Sequence, residues 1–325
     1  MMLSVAVLMD PIGSIKLAKD TTFAMLLEAQ GRGHTLFYME QQDLALRDGM
    51  AWARLTPLAV KDDAQHWYTL GQPRWRDLRE MDVVLLRKDP PVDVQFIHDT
   101  LVLEVAQRGG VMMVNDPRAL RDCNEKLFAL QFPQCIVPTL VSRDASELRR
   151  FAAEHGEIVL KPLDGMGGRG IFRVSHGDNN LNSMLETLLG GDGHGIGAQL
   201  TMAQKYIPQI SAGDKRILVV DGEPVPWALA RIPQGNEFRG NLAAGGRGEG
   251  VPLSARDRWI VEQVAPELRR RGLLFVGLDV IGDYLTEINV TSPTCVRELD
   301  TQFDLNISAQ LFDVIEQRRS GATGT

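Results

Sequence analysis

The stretch Val276–Thr294, VGLDVIGDYLTEINVTSPT, decides the fold of this chain. An apolar run, a Gly282-Asp283 turn signal and a run of alternating character follow one another, and this order predicts a β-hairpin. Glu287 and Asn289 lie two residues apart, so their side chains point to the same face of a strand. Because the period of a strand is two, Asp279 joins that face only if the loop has an odd residue count or a glycine-based bulge.

Two carboxylates and an amide on one strand face suit a hard cation such as Mg²⁺ with bound phosphates. The alternative is an edge hairpin with a solvated polar face. The apolar residues of the stretch indicate a buried hairpin instead, and they are Val276, Leu278, Val280, Ile281, Ile288 and Val290. A carboxylate that is buried there needs a cation. We therefore expect Asp279, Glu287 and Asn289 to be metal ligands.

Length and composition are those of a soluble globular protein. The 325 residues suffice for two or three domains, with 44% apolar and 24% charged residues. The net charge of −7 argues against nucleic acid or an anionic membrane as a partner, and no apolar stretch approaches the ~18 residues of a membrane span. The N-terminus MMLSVAVLMD lacks a basic region, so it predicts a strand and not a signal peptide. Three cysteines without a CxxC motif indicate reduced thiols in a cytoplasm.

The first ~120 residues alternate between strand and helix patterns, which implies a parallel sheet. Strands are expected over 4–9, 35–39, 82–86 and 111–114, with helices over 22–32 and 94–108. Polar loops at 10–19 and 87–91 follow two of these strands, where an α/β sheet places its ligand. The alternative for the charges in these loops is a solvated rim. The first turn lacks G-x-G-x-x-G, so a dinucleotide site has no support.

A glycine-rich loop at 163–170 follows a predicted strand over 158–162 and leads into another strand. It is not a Walker A loop, because it lacks G-K-[ST] and precedes no helix. A flexible hairpin tip would explain it, but Lys161 stands directly before it, which favours a hairpin that closes over phosphates. Helices are expected to open at Arg121 and to span 144–155, the second with a capping box.

The C-terminal part contains two predicted strands, over 217–220 and 225–231, and an amphipathic helix over 254–271. Arg216 enters the first strand, and its guanidinium is expected to face a partly buried partner. The loop 232–248 has five glycines and two arginines, and we expect it to be a lid and not a disordered segment.

Ten words of the sequence, in one order along nearly the whole chain, resemble the bacterial glutathione synthetases of the ATP-grasp superfamily. They are VLMDPI (7–12), FAMLLEAQ (23–30), RKDPP (87–91), RDCNEKLF (121–128), LKPLDGMGG (160–168), AGDKR (212–216), LVVDGEPVP (218–226), ARIPQG (230–235), RGNLAAGGRGE (239–249) and LTEINVTSPTC (285–295). Lys205 departs from the pattern, since many ATP-grasp enzymes carry an acidic residue in this linker. Arg169-Gly170, at the end of the glycine loop, is a second departure.

The resemblance implies an α/β protein with the ATP-grasp fold. Its domains would be an N-terminal parallel α/β substrate-binding domain at 1–122, a central glycine-loop lid domain at 123–201 and a C-terminal α+β domain with the metal site at 202–318. A flexible tail would follow at 319–325. The reaction implied is ATP-dependent ligation of glycine to γ-glutamylcysteine through an acyl phosphate, which gives glutathione, ADP and phosphate. A cytoplasmic homotetramer with two Mg²⁺ ions is also implied, with Mn²⁺ as an alternative.

The resemblance also assigns roles to matching positions. Catalytic roles fall to Arg216, Arg239 and Lys161. ATP would contact Lys126, Lys161, Gly165, Met166, Gly167, Gly168, Gln204, Lys205, Tyr206, Ile207 and Asp214. The other substrates would contact Asp10, Arg87, Arg216, Arg231, Arg239 and Arg297. The Mg²⁺ ions would bind Asp279, Glu287 and Asn289.

Three alternatives remain open at this point. A sister ligase, of the D-alanine–D-alanine or peptide–glutamate type, would share the phosphate and metal parts and differ in the substrate loops. A second alternative is a non-enzymatic ATP-binding module of the same fold, like the synapsins. The presence of both carboxylates on the metal face and of Arg216 argues against it. A third alternative is an enzyme with Cys295 as its nucleophile. It is disfavoured because no histidine of the sequence stands in a recognisable partner motif.

Overall fold

A computed structural model describes residues 1–165, 167–190, 198–235, 237, 239–242 and 245–321 of the chain. Within these residues the chain forms three β-sheets with helices packed against them. None of the helices in this part is long and apolar enough to cross a membrane.

The strands and helices are numbered in chain order. The strands are β1 (Ser4–Met9), β2 (Thr35–Met39), β3 (Leu44–Arg47), β4 (Met50–Val60), β5 (Tyr68–Leu70), β6 (Arg74–Asp77), β7 (Val83–Arg87), β8 (Met112–Val114), β9 (Thr139–Ser142), β10 (Ile158–Pro162), β11 (Phe172–Val174), β12 (Thr201–Lys205), β13 (Asp214–Val220), β14 (Glu223–Ile232), β15 (Arg247–Pro252), β16 (Phe275–Ile281) and β17 (Tyr284–Asn289). The helices are α1 (Thr21–Gly31), α2 (Val94–Arg108), α3 (Pro117–Asp122), α4 (Ala145–His155), α5 (Leu181–Leu189), α6 (Ala255–Arg270), α7 (Val296–Phe303) and α8 (Ile307–Arg319).

The first sheet confirms the parallel arrangement expected from the strand and helix alternation. Its order is β3-β4-β2-β1-β7-β8, and the three pairs β2-β1, β1-β7 and β7-β8 are parallel. These four are the strands that the sequence predicts. The antiparallel strands β3 to β6, which extend the sheet beyond β2, were not expected.

The other two sheets carry the glycine loop and the hairpin. A four-stranded sheet has the order β11-β10-β12-β9, and the glycine loop connects β10 to β11. A five-stranded sheet has the order β15-β14-β13-β16-β17, with the hairpin β16–β17 at one edge. All neighbouring strands of the five-stranded sheet pair antiparallel.

The hydrophobic cores show how these sheets are joined. One core contains Leu86 of the first sheet together with Val276 of the third, and a second contains Phe23 of α1 together with Phe312 of α8. The four-stranded sheet has a separate core around Leu160. The first and third sheets therefore share buried apolar surface, whereas the sheet with the glycine loop packs mainly on its own helices. The division into three domains and its boundaries stay predictions.

One helix start and one helix cap differ from those expected. The helix predicted to open at Arg121 is wrong, because α3 begins earlier, with Asp116 as its cap and a proline in its first turn. After its end, the Asn124 side chain accepts hydrogen bonds from the N–H groups of the next residues, which favours a turn. In α4, Asp144 accepts from Ser146 N–H without the reciprocal bond of a capping box.

Gly250 in β15 offers a test of how the C-terminal helices pack on the third sheet. A Cβ at this position would lie 2.0 Å from the ring of Phe303 in α7, and that ring stacks on Trp227 in β14 with centroids 3.8 Å apart. We expect Gly250→Ala to displace the ring and to lower the free energy of unfolding by about 1–3 kcal/mol, measured by urea denaturation. Gly31→Ala is the control, since a Cβ there meets nothing within 4 Å. An unchanged stability of the Gly250 variant would contradict this packing.

Candidate active site

The hairpin β16–β17 places the three predicted metal ligands on one face. Asp279 pairs directly with Glu287, and Gly277 pairs with Asn289. Between Asp279 and Val280 the register shifts, which leaves Thr286 as an extra residue in β17. The bulge that the sequence requires is therefore present, but its extra residue is a threonine and not a glycine. The Thr286 hydroxyl donates to the Asp279 carbonyl at 3.1 Å, which accounts for the otherwise unpaired position.

Next to this face, two arginines share the Asp279 carboxylate. Arg216 lies opposite Asp279 in the register of β13 and β16 and donates to both carboxylate oxygens, from Nε at 2.5 Å and Nη2 at 3.0 Å. Arg231 Nη2 lies 2.8 Å from Asp279 Oδ2 and 2.5 Å from Asp214 Oδ2. All four side chains are buried. They form a buried cluster of two anions and two cations, in which each charge has a direct partner.

Burial and the charges of the cluster shift the pKa values of its members. Burial alone would raise the pKa of Asp279, but Arg216 and Arg231 outweigh it and hold that pKa well below its usual range. Burial opposes the charge of Arg231 as well, yet Asp214 and Asp279 raise its pKa. For Asp214 burial dominates, and the nearby charge of Asp279 adds to it, so the pKa of Asp214 rises to about 6. Asp279 is thus the fixed anion of the cluster.

Two glycines make room for the arginines. A Cβ on Gly277 would lie 2.8 Å from Cδ of Arg216, whose aliphatic stem crosses that position. A Cβ on Gly240 would lie 2.2 Å from the carbonyl oxygen of Arg231. A larger residue at Gly277 would displace the Arg216 side chain, and one at Gly240 would displace the backbone at Arg231.

Two lysines lie at the other end of the face. The Lys126 ammonium bonds to the Glu125 carboxylate and donates to the Gly165 carbonyl at 2.9 Å, and it lies 3.6 Å from Glu287. Burial opposes its charge, but Glu287 and Glu125 raise the pKa of Lys126. Burial raises the pKa of Glu125 to about 7, and Glu287 adds to the rise. Lys126 therefore joins the glycine loop to the hairpin β16–β17.

Lys161, the lysine before the glycine loop, is also buried, and its ammonium donates to Gln204 Oε1 at 3.0 Å. Burial lowers the pKa of Lys161. The glycine loop itself meets the second predicted lid, because Arg239 Nη1 donates to the Gly168 carbonyl at 2.8 Å. A Cβ on Gly168 would lie 2.7 Å from Oδ1 of Asn241, so the close approach of the two loops needs a glycine there.

Two backbone N–H groups of the linker at the end of β12 are hydrogen-bonded within the protein. The N–H of Lys205 donates to the Pro138 carbonyl and the N–H of Tyr206 donates to the Glu157 carbonyl, both at 3.0 Å. The ring of Tyr206 lies under the guanidinium of Arg173 at 4.1 Å. These two N–H groups are therefore not open to adenine, and the Lys205 side chain is exposed.

These groups surround a cavity of about 280 Å³. The predicted site residues that line it are Lys126, Lys161, Gly165, Gly167, Gly168, Gln204, Lys205, Tyr206, Ile207, Asp214, Arg216, Arg231, Arg239, Asp279, Glu287 and Asn289. Met166 lies outside the described residues. The structure thus brings the predicted phosphate, metal and oxyanion residues to one cavity.

Three residues predicted to contact substrate do not line the cavity. Asp10 forms an ion pair with Lys88 at 2.8 Å. Arg87 is buried, and its guanidinium donates to the Thr22 hydroxyl and to a backbone carbonyl. Arg297 points to Asp62 at 3.3 Å. Asp10 and Arg87 begin the two expected loops and Arg297 lies in α7, but all three side chains turn to protein partners.

Several residues that line the cavity were not predicted. They are Asp89, Pro90, Glu125, Val159, Pro162, Arg169, Ile171, Ile210, Gly240, Asn241, Leu242, Ile281, Thr286, Thr291, Ser292, Thr294 and Cys295. Asp89 directly follows Lys88 in RKDPP, and Glu125 directly precedes Lys126 in RDCNEKLF. Their places in these two segments were the signal in the sequence that could have identified them. Burial raises the pKa of the Cys295 thiol, which disfavours the thiolate that a cysteine nucleophile needs.

The oxygen donors of the hairpin fit Mg²⁺. The described residues contain no cluster of three histidine, cysteine, aspartate or glutamate side chains arranged for a metal. A site here therefore needs Asn289, whose Nδ2 donates to the Gly277 carbonyl at 3.3 Å and leaves Oδ1 for another partner. The Asp279 oxygens accept three bonds of the roughly four that a carboxylate can accept. Carboxylate and amide oxygens are the ligands that hard cations prefer.

Comparison with known proteins gives a consistent result along the chain. Residues 3–121 match the prokaryotic glutathione synthetase N-terminal domain, and residues 125–304 match the prokaryotic glutathione synthetase ATP-grasp domain. The glutathione synthetase of Xanthomonas axonopodis pv. citri is 66% identical over 97% of this chain and 98% of its own length. That of Xylella fastidiosa (strain Temecula1) is 58% identical over 97% of this chain and 99% of its own length.

A solved structure shares the fold. The ATP-grasp ligase PsnB, complexed with minimal precursor, Mg and ADP, superposes with a TM-score of 0.60 at 18% identity, over 97% of this chain and 98% of that one. At this identity the likeness concerns the fold alone.

The shared Asp279 carboxylate can be tested by stability. We expect Asp279→Asn to lower the free energy of unfolding by about 3–5 kcal/mol, because it removes the anion that pairs directly with both buried guanidinium groups. The measurement is urea denaturation without nucleotide. Asp283→Asn, in the exposed turn of the same hairpin, should leave stability within about 0.5 kcal/mol. Equal stability of both variants would show that the cluster does not hold the sheet together.

Proposed function

The chain belongs to the prokaryotic glutathione synthetase family, and on that premise we propose how its cavity carries out the reaction. The protein is an ATP-dependent ligase that makes glutathione. The observation that carries this conclusion is 66% identity over 97% of the chain with a glutathione synthetase. The substrates are ATP, γ-glutamylcysteine and glycine.

The chemistry needs no protein nucleophile. An oxygen of the cysteinyl carboxylate attacks the γ-phosphorus of ATP, the bond to the β-phosphate oxygen breaks, and ADP leaves. The amine of glycine then attacks the acyl carbon, the bond to phosphate breaks, and the amine loses its proton as the amide forms. Catalysis by the protein therefore consists of positioning the reactants and neutralising charge.

The phosphate end of the cavity would be formed by Lys126, Lys161 and the glycine loop at 163–170. Both lysines are buried; Lys126 donates to the Gly165 carbonyl of the loop, and Lys161 lies in the strand β10 directly before it, which supports this assignment. The nucleotide base would lie against the linker 204–207, whose residues line the same cavity. Asp214 would complete this side of the site.

Asp279, Glu287 and Asn289 would hold Mg²⁺, two ions by resemblance, with Mn²⁺ as an alternative. The metal would supply neutralisation of the phosphate charges. The fit of the three oxygen donors on one strand face supports this assignment.

The acyl end would depend on the arginines. A guanidinium has five N–H donors, and Asp279 occupies only two of those of Arg216, which lines the cavity. The remaining donors would stabilise the oxyanion that develops on the acyl carbon. Arg231 and Arg239 would contact substrate carboxylates. The loops at 163–170 and 232–248 would act as lids that keep water from the acyl phosphate.

The reaction itself can be tested directly. Phosphate release from ATP should require γ-glutamylcysteine, glycine and Mg²⁺ together, and omission of any one should reduce the rate to background. Chelation of the metal with EDTA should abolish turnover, and added Mg²⁺ should restore it. Equal activity with D-alanine or with a glutamate-terminated peptide would favour a sister ligase instead.

Assembly and location are further parts of the proposal. We expect a cytoplasmic homotetramer, which the family resemblance supports. Light scattering at micromolar concentration should give a mass of about four times the 36.0 kDa of one chain. A mass close to that of one chain would contradict the tetramer.

Arg216 gives the sharpest kinetic test. If its guanidinium stabilises the oxyanion, Arg216→Ala should lower kcat by roughly 10²–10³, with a much smaller change in KM for ATP. Arg216→Lys should restore only part, since an ammonium cannot replace a planar fork. Arg150→Ala, which removes an exposed ion pair on α4, is the control and should leave kcat unchanged. The ion pair with Asp279 is the competing explanation: in that case kcat stays the same and only the melting temperature falls.

A further inference from the structure

The acidic side chains around the cavity differ in one respect. Among the described residues that line it, they are Asp89, Glu125, Asp214, Asp279 and Glu287. Four of these have a lysine or arginine within 4 Å. In the part of the chain that the structure describes, the carboxylate of Asp89 has neither an ion pair nor a hydrogen bond, and the residue is exposed. Among the described residues of the cavity wall, Asp89 is thus the one anion that no cation contacts directly.

The backbone at Asp89 is nevertheless fixed. Its N–H donates to Asp10 Oδ2 at 2.9 Å. Lys88 bridges the same pair, since its ammonium lies 2.8 Å from both the Asp89 carbonyl oxygen and Asp10 Oδ1. Asp10, which does not reach the cavity itself, therefore holds the residue that does.

Arg87 supports this wall from behind. Its guanidinium donates to the Pro293 carbonyl at 2.9 Å and to the Thr22 hydroxyl at 3.0 Å. Arg87 also acts on Asp89 through its charge, but its guanidinium donates its hydrogen bonds to Thr22 and Pro293. The loop with Asp89 is thereby tied to the segment 291–295, whose hydroxyl side chains line the same cavity.

Apart from Asp89, the described residues that line the cavity include three lysines and four arginines against four carboxylates. The surplus of basic groups suits ATP and substrate carboxylates. A free carboxylate in such a wall suits a cationic group of a substrate. We propose that Asp89 binds the α-ammonium group of the γ-glutamyl residue of the peptide substrate. This inference rests on the proposed function.

The chemistry of the reaction favours the ammonium of the peptide over that of glycine. Glycine must attack the acyl carbon as a neutral amine, and a carboxylate that stabilised its ammonium form would oppose the attack. The γ-glutamyl ammonium takes no part in bond making, so a lasting ion pair with Asp89 costs the reaction nothing.

The test compares two peptides on two proteins. N-glutarylcysteine is the same peptide with hydrogen in place of the α-ammonium group. The wild type should lose roughly 10–100-fold in kcat/KM when it replaces γ-glutamylcysteine, as expected for one charge-assisted hydrogen bond. Asp89→Asn should show a similar loss with γ-glutamylcysteine and should discriminate between the two peptides by less than about threefold, because the two changes remove the same contact.

Controls separate this contact from other causes. Asp93→Asn, a carboxylate that caps α2 outside the cavity, should keep the discrimination of the wild type. Asp89→Glu should restore part of it, and the melting temperature of each variant reports whether the protein folds. KM for ATP and for glycine should stay within about threefold in Asp89→Asn.

The outcomes are separable from failure of the proposed function. If the wild type releases no phosphate with ATP, γ-glutamylcysteine and glycine, the proposed function itself is wrong. If it is active but accepts both peptides equally, or if Asp89→Asn keeps the discrimination, Asp89 does not bind this ammonium. A rise in KM for glycine alone would assign Asp89 to glycine and overturn the proposal.

Discussion

The carboxylate of Asp279, shared by Arg216 and Arg231, is the interaction on which the site depends. Burying these groups in a sheet costs several kcal/mol each unless every charge has a well-placed partner. The partners come from three different strands, β13, β14 and β16, so the pairing of all three strands must be correct at once. A slip of one residue would turn Asp279 to the opposite face and leave both arginines buried without it. The requirement for charge pairing thus fixes the register of the sheet that carries Arg216, Arg231 and Asp279.

The parts of the fold that the sequence could predict are those whose signals are local in the chain. The hairpin and the four parallel strands have strong apolar runs with glycine or proline turns beside them, and those signals are local. The bulge at Thr286 was predicted only conditionally: the sequence shows that Asp279 can face Glu287 if a bulge is present, but not that the bulge exists. The strands β3 to β6 were missed although β4 alternates clearly in burial. The short strand β6, with exposed or half-buried residues throughout, has no such pattern.

In the site, sequence reasoning identified residues that share an element but not those that depend on distant partners. The side chains on the hairpin face and the lysine before the glycine loop follow from strand period and order in the chain. Arg87 could not be placed in this way, because its guanidinium is held by the Pro293 carbonyl, 206 residues away in the chain. Asp10 likewise turns to a neighbouring loop. A long charged side chain near a strand end can serve the cavity or support its wall, and only tertiary contacts decide between these roles.

The hydrophobic cores add a last constraint on how the cavity can close. Lys161 and the glycine loop belong to a sheet with a core of its own, whereas the hairpin stands on the core shared by the other two sheets. The contact of Lys126 with the Gly165 carbonyl and that of Arg239 with the Gly168 carbonyl join the glycine loop to the rest of the site by hydrogen bonds. A phosphate that binds Lys126 would exchange one of its polar partners for another, at little cost in buried apolar surface. Closure over a nucleotide can therefore proceed by rearranging hydrogen bonds at the cavity while each core stays packed.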